Sequence, residues 1–175
     1  MYFERITDSQ HPMYGTAIEL YQKSFPLHEQ REALSQARIL RHPDYHFTLV
    51  YNEEVFVGLV LYWETAEFLY MEHFCILPEL RYQHYGQRIL AELGKQGKVI
   101  ILEIDPPMDQ ISARRRGFYE RCGFEENPYP HVHPPYHKEN CGHKLVVMSC
   151  PGKLTAEEYN AFDRYLKREV MREVF

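Results

Sequence analysis

The 175-residue chain is long enough for one domain burying roughly 70% of the surface its unfolded form would expose, and its 45% hydrophobic and 26% charged content is that of a folded globular protein rather than a disordered one. A formal net charge of −5 and a pI near 6.1 provide no global basic field, which disfavours nucleic acid and anionic membrane as ligands and confines any anion site to a local cluster. The opening "MYFERITDSQ" has no signal-peptide core, and the longest apolar run, Val55 to Trp63, is far too short to span a membrane, so a cytoplasmic location is expected.

From the N-terminus, "YFERI" is expected as a short strand, and "PMYGTAIELYQKSF" sets Tyr14, Ala17, Ile18, Tyr21 and Phe25 at helical spacing before Pro26. "LHEQREALSQARIL" predicts a second helix stopping before His42-Pro43. "YHFTLVYNEEVFVGLVLYWE" reads as two strands joined at Asn52-Glu53, and "AEFLYMEHFCIL" as a third strand ended by Pro78. Ile89, Leu90 and Leu93 then share one face of a helix closed by Gly94 and Gly97. "KVIILEI" is almost continuously apolar, the pattern of a central strand covered on both faces, and strand, helix, strand is the unit of a parallel pairing.

"ISARRRGFYERC" predicts a helix stopped by Gly123, and "KLVVMSC" a late strand; between them "NPYPHVHPPYHKENCGH" is expected to be a long loop. Thr155 and Glu158 have the spacing of a capping box, with Leu154 and Tyr159 at the positions of a hydrophobic staple. Tyr159, Phe162, Leu166 and Val170 mark one face of a helix in a C-terminal extension over residues 153–175. Cys75, Cys122, Cys141 and Cys150 include no CxxC pair and are expected to be free thiols.

Two stretches carry chemistry. "LPELRYQHYGQRILAEL", Leu77 to Leu93, turns from strand into helix, where outward backbone N–H groups and the positive end of the helix suit a phosphate, and Arg81 adds a formal charge. The competing reading is plain connectivity. "RRRGFYERCGF", Arg114 to Phe124, follows in the order expected of a second motif, with the apolar strand "VIILEI" between the two. Together, over about Phe47 to Phe124, they resemble the GNAT superfamily of acyl-CoA-dependent N-acyltransferases: Arg/Gln-x-x-Gly-x-Gly/Ala opening a helix, then Tyr followed by three residues and Gly-Phe. His84 stands where the family usually has its middle Gly, and Ser112, seven residues before Tyr119, where many members have Asn.

That resemblance implies one α/β (α+β) domain over residues 1–175, a twisted mixed β-sheet flanked by helices and splayed where the cofactor enters, with acetyl-CoA as co-substrate and no metal. By the same resemblance Phe74, Cys75 and Ile76 would contact the pantetheine arm and the acetyl carbonyl. Arg81, Tyr82, Gln83, His84, Tyr85, Gly86 and Gln87 would form the pyrophosphate turn, Ser112 would give a further cofactor contact, and Tyr119 would be the general acid.

Acetyl transfer from a thioester to an amine needs a neutral amine, a donor for the oxyanion and a proton for the leaving thiolate. An ammonium of pKa near ~10.4 must first lose a proton, whereas a tyrosine near ~10 can give one. Glu72, six residues before Pro78, and Glu103, the one charge in "VIILEI", are the candidate bases, burial being expected to raise the pKa of Glu103. His73 is expected on the face opposite Glu72. Glu29 and Arg31, between the first two helices, and Tyr136, in the proline-rich loop, are candidate acceptor contacts, each weighed against an ordinary structural role.

The expected reaction is direct attack in a ternary complex by a small-molecule or peptide amine, with a homodimer compatible with the many aromatics. The alternatives are a non-catalytic acyl-CoA-binding module, suggested by His84 and Ser112, and a metalloenzyme using His131, His133, His137, Cys141 and His143, whose spacing fits no standard zinc pattern.

Overall fold

The protein is described by a computed structural model covering residues 1–175. Strand β1 (Tyr2–Ile6) leads into helix α1 (Tyr14–Ser24) and, after a 3-10 turn over Leu27–Glu29, α2 (Ala33–Ile39). Strands β2 (Tyr45–Asn52), β3 (Val55–Glu64) and β4 (Phe68–Ile76) form an antiparallel meander continuing from β1. Helix α3 (Tyr85–Gly94) crosses over to β5 (Val99–Ile104), which pairs parallel to β4, as the strand-helix-strand order predicts. Helix α4 (Gln110–Arg121), short strands β6 (Glu125–Glu126) and β7 (His131–His133), long strand β8 (His143–Cys150) and helix α5 (Ala156–Tyr165) complete the chain. The sheet runs β1-β2-β3-β4-β5-β8-β6, with β7 added on β8.

Side-chain alternation divides the core between the two faces of this sheet. Leu59, Leu61, Trp63 and Tyr70 pack with α1 and α5 residues such as Tyr21 and Phe162. Val60, Tyr62, Leu69 and Met71 pack with Ile89, Leu90 and Leu93 of α3 and Tyr119 of α4. The capping box on α5 is present: Thr155 Oγ1 accepts from the Glu158 N–H at 3.2 Å, and Glu158 Oε2 accepts from the Thr155 N–H at 2.7 Å. The buried face of α5 carries on through a π-helical turn over Leu166–Val170.

Three local expectations change. The second helix begins six residues late, because Gln30 and Glu32 are extended and the backbone N–H of Arg31 donates to the Tyr21 hydroxyl at 3.0 Å instead of to a helical carbonyl. The proline-rich segment contains β7, whose residues pair His131↔Leu145 and His133↔His143. Most consequential is a bulge in β4: the register passes from Leu61↔His73 to Tyr62↔Met71, leaving Glu72 as the extra residue. The bulge resets the alternation, so Glu72 and His73 both point to the α1 face, not to opposite faces as the strand pattern predicts; Glu72 meets Trp63, and His73 meets Tyr21 at 4.9 Å between rings.

Candidate active site

Strands β4 and β5 pair only from Phe68↔Val99 to Met71↔Leu102. Beyond that point they part, leaving the β4 edge from Glu72 to Ile76 without a partner from β5, and a cleft of about 750 Å³ opens between them. Phe74, Cys75 and Ile76 line its β4 wall, and Phe118 and Tyr119 of α4 stand across it.

At one end lies the turn into α3. Tyr82 (φ 65°) and His84 (φ 60°) are both left-handed, an arrangement that costs non-glycine residues about 1–2 kcal/mol each. No side chain caps α3, so its first N–H groups face outward at the positive end of the helix. Gly86 serves a different purpose: a Cβ there would stand 3.0 Å from Phe118 Cζ, so its bare backbone lets α3 and α4 approach. Arg81, Tyr82, His84, Tyr85, Gly86 and Gln87 all border the cleft, with Arg114 and Arg115 of α4 nearby.

Two expected cofactor contacts lie elsewhere. The Gln83 amide donates to the Glu79 carbonyl at 3.2 Å, outside the cleft. Ser112 is the N3 residue of a capping box at α4: its Oγ accepts from the Asp109 N–H at 3.1 Å, and Asp109 Oδ1 accepts from the Ser112 N–H at 2.8 Å. Its hydroxyl is thus engaged in the cap that starts α4. Tyr119, two residues before the end of that helix, lines the cleft with no hydrogen bond from its hydroxyl to the chain; burial pushes its pKa up to about 12, so it is protonated.

The other end is polar and enclosed. Glu72 Oε1 accepts from Arg31 Nε at 3.1 Å and from the Tyr136 hydroxyl at 2.8 Å, while Oε2 accepts from the Trp63 indole at 2.8 Å. Burial alone would raise the pKa of this carboxyl, but Arg31, His73, Trp63 and Tyr136 together hold it below its ordinary value. A carboxylate so fully occupied is a poor proton acceptor. Arg31 is itself buried, sandwiched 5.6 Å from the centre of the Trp63 ring and 5.5 Å from that of Tyr136. It is therefore a buried ion-pair partner and not an exposed substrate contact. Glu29 and Tyr136 do border the cleft.

Glu103 is similarly engaged. Burial raises its pKa, as expected, but His133, His131 and the Tyr70 hydroxyl, which donates at 2.5 Å, outweigh burial and hold it below the ordinary value. Its imidazole neighbours come from β7, within the segment expected to be a loop. The five His and Cys residues of the proline-rich segment do not converge. His131 and His133 turn to Glu103, His137 Nε2 donates to the Leu27 carbonyl at 2.9 Å, and Cys141 is exposed. His143 instead meets His28 and Glu29 at the cleft mouth, their ligand-type atoms all within 4.8 Å of one another. His28 carried no signal in the sequence, since its neighbours arrive from β8, 115 positions away.

Residues 43–126 match the family model described as the acetyltransferase (GNAT) domain. A GNAT-family protein from Bacteroides thetaiotaomicron, whose acetyltransferase activity is itself inferred, is 31% identical, with 97% of this chain and 98% of that one covered and a TM-score of 0.90. The chain belongs to the GNAT family. More distant GNAT-like folds include the ribosomal-protein-S18-alanine N-acetyltransferase of Escherichia coli (16% identity, 89% and 96% covered, TM-score 0.56). An aminoglycoside 6'-N-acetyltransferase complexed with coenzyme A is similar at 14% identity, with 85% and 96% covered and a TM-score of 0.57. No curated protein matches. The parted strands, the uncapped helix after β4 and the tyrosine near the end of α4 thus lie in a GNAT acetyltransferase domain, and no helix is long and apolar enough to cross a membrane.

Proposed function

We propose that the protein transfers an acetyl group from acetyl-CoA to a primary amine of a small molecule or peptide by direct attack in a ternary complex. The observation that carries this reading is the cleft itself, whose walls bring an uncapped helix N-terminus and a free phenol to the two sides of one unpaired strand edge. The α3 N–H groups and Arg81 suit the pyrophosphate, and the open edge at Phe74 to Ile76 offers backbone groups to the pantetheine arm and the thioester oxygen. The aminoglycoside 6'-N-acetyltransferase of similar fold is complexed with coenzyme A, which supports acetyl-CoA as the co-substrate.

Tyr119, protonated and otherwise unbonded, donates to the departing thiolate. Cys75 is no rival nucleophile: burial pushes its pKa up to about 11, keeping it a thiol, and it touches no histidine that would activate it. At the acceptor end, Glu72 holds Tyr136 and Arg31 in place rather than taking a proton, and Glu29 faces the incoming amine. The protein acts in the cytoplasm, alone or as a homodimer.

A thiol-release assay with acetyl-CoA against a broad amine library tests the reading, with calorimetric titration of coenzyme A in parallel. Binding and turnover of at least one amine are expected. Tyr119→Phe should lower kcat by about 10²-fold, the bottom of the range for general acids because a thiolate leaves readily, with coenzyme A affinity unchanged. Absence of coenzyme A binding would sink the assignment, and binding without turnover of any amine would favour a non-catalytic acyl-CoA module.

A further inference from the structure

With both carboxylates tied up, the proton of the acceptor's ammonium needs another destination. We propose that His133 is the base that receives it and that Glu103 is its positioning residue; this rests on the N-acetyltransfer reading above.

Strand β7 sets His131 and His133 on one side, 5% and 4% exposed, with Val132 pointing outward. Both imidazoles therefore meet Glu103 of β5. His133 Nδ1 lies 2.6 Å from the Pro134 carbonyl, which can only accept, so Nδ1 carries the hydrogen and the lone pair of the neutral ring sits on Nε2. The two polar atoms found near Nε2 are oxygens without a proton to give. Glu103 Oε2 is 3.9 Å away, and the Tyr136 hydroxyl oxygen, 3.4 Å away, has its own proton directed to Glu72 at 2.8 Å. A proton arriving at Nε2 would thus meet a carboxylate and a phenolic oxygen at a buried ring, where such contacts are strong.

His133, Tyr136, Glu72 and His73 line the same end of the cleft. The groups facing the ring are Glu103 and Tyr70 from the central strands, His131 on its own strand, and Tyr136 after it. Glu72, with Arg31 behind it, and His73 face it from β4, and His143 from β8. His73 is the rival imidazole, but its Nε2 donates to the Glu29 carbonyl at 2.8 Å and its Nδ1 is sealed without a partner.

The step balances. The ammonium gives one proton to His133 Nε2; the amine lone pair forms the C–N bond; the C–S bond breaks and the thiolate takes the Tyr119 proton. The second nitrogen proton restores Tyr119, and His133 releases its proton to solvent. One ammonium and one thioester become one amide, one thiol and one proton.

The test combines an acceptor-independent readout with kinetics. Nitrogen-15 NMR of the imidazoles should show the neutral His133 ring protonated on Nδ1; a neutral ring protonated on Nε2 overturns the proposal. Using the amine with the highest turnover in the survey, His133→Gln should lose about 10²-fold in kcat at pH 7 while binding coenzyme A normally. Its remaining rate should climb with pH toward the ammonium pKa of ~10.4, a slope the wild type lacks. Added imidazole should restore part of the activity of His133→Ala, and Glu103→Gln should shift the pH profile without altering coenzyme A affinity. A His133→Gln enzyme with the wild-type rate and pH profile overturns this inference alone; a wild type that acetylates no amine overturns the transfer reading and this one with it.

Discussion

Arg31 shows how far a single residue's role depends on what surrounds it. On the helix that "LHEQREALSQARIL" predicts it would face solvent, where an ion pair contributes little. In the fold it is fully enclosed between two aromatic rings, bonded to Glu72 and, through Nη2 at 2.6 Å, to the Val170 carbonyl. Arg31→Ala should cost about 3–5 kcal/mol, because Glu72 would be left buried without its cation; chemical denaturation measures it, and a loss under 1 kcal/mol would show that the pair is not enclosed. Ser112 is the converse case. Ser112→Ala should lower stability by about 0.5–1 kcal/mol through the weakened cap on α4, while KM for acetyl-CoA stays constant. A raised KM with unchanged stability would return the hydroxyl to the cofactor.

At the scale of elements, the site is made where regular pairing fails. The bulge at Glu72 turns two consecutive side chains toward α1, and the parting of β4 from β5 after Met71 opens the cleft directly beyond it. Gly58 on β3 permits the close approach that holds this part of β4: a Cβ there would lie 2.2 Å from the Cys75 carbonyl oxygen, a contact that requires the backbones to separate. Gly58→Ala should therefore destabilise the protein by about 3 kcal/mol and lower activity even in the folded fraction, since Phe74 to Ile76 would shift; denaturation curves with activity normalised to folded protein separate the two effects. Equal stability of Gly58→Ala and wild type would rule out this packing.

Across the whole molecule, the C-terminal segment is no appendage. Phe162, Leu166 and Val170 are fully buried in the main core, and Ser35 donates to the Glu173 carbonyl at 2.5 Å. The acid limb of stability should also be a property of the assembled fold. Burial and Arg5 lower the pKa of His46 from 6.5 to about 4, so the folded state binds its proton less readily than the unfolded state. That contribution is present above pH 6.5 and is lost as pH falls toward 4. Glu72 and Glu103, held below their ordinary 4.5, add stability that is present above that value and disappears beneath it. Thermal midpoints should accordingly decline in two stages from pH 7 to 3, and His46→Gln should flatten the first; a variant that keeps the full decline between pH 6.5 and 4.5 would exclude His46 as its source.

Apolar period, turn chemistry and spacing between near neighbours make the principal strands and helices, the parallel β4–β5 pair, the capping box at Thr155 and the two motif stretches legible along the chain. Long-range packing adds that Glu72 and His73 share a face, that Arg31 is enclosed, and that His131 and His133 reach Glu103 from a strand paired with β8. Arg31 finds Glu72 41 positions away and His131 finds Glu103 28 positions away, and a bulge or a short added strand leaves no periodic trace along the chain, whereas Ser112 stands at local capping-box spacing from Asp109.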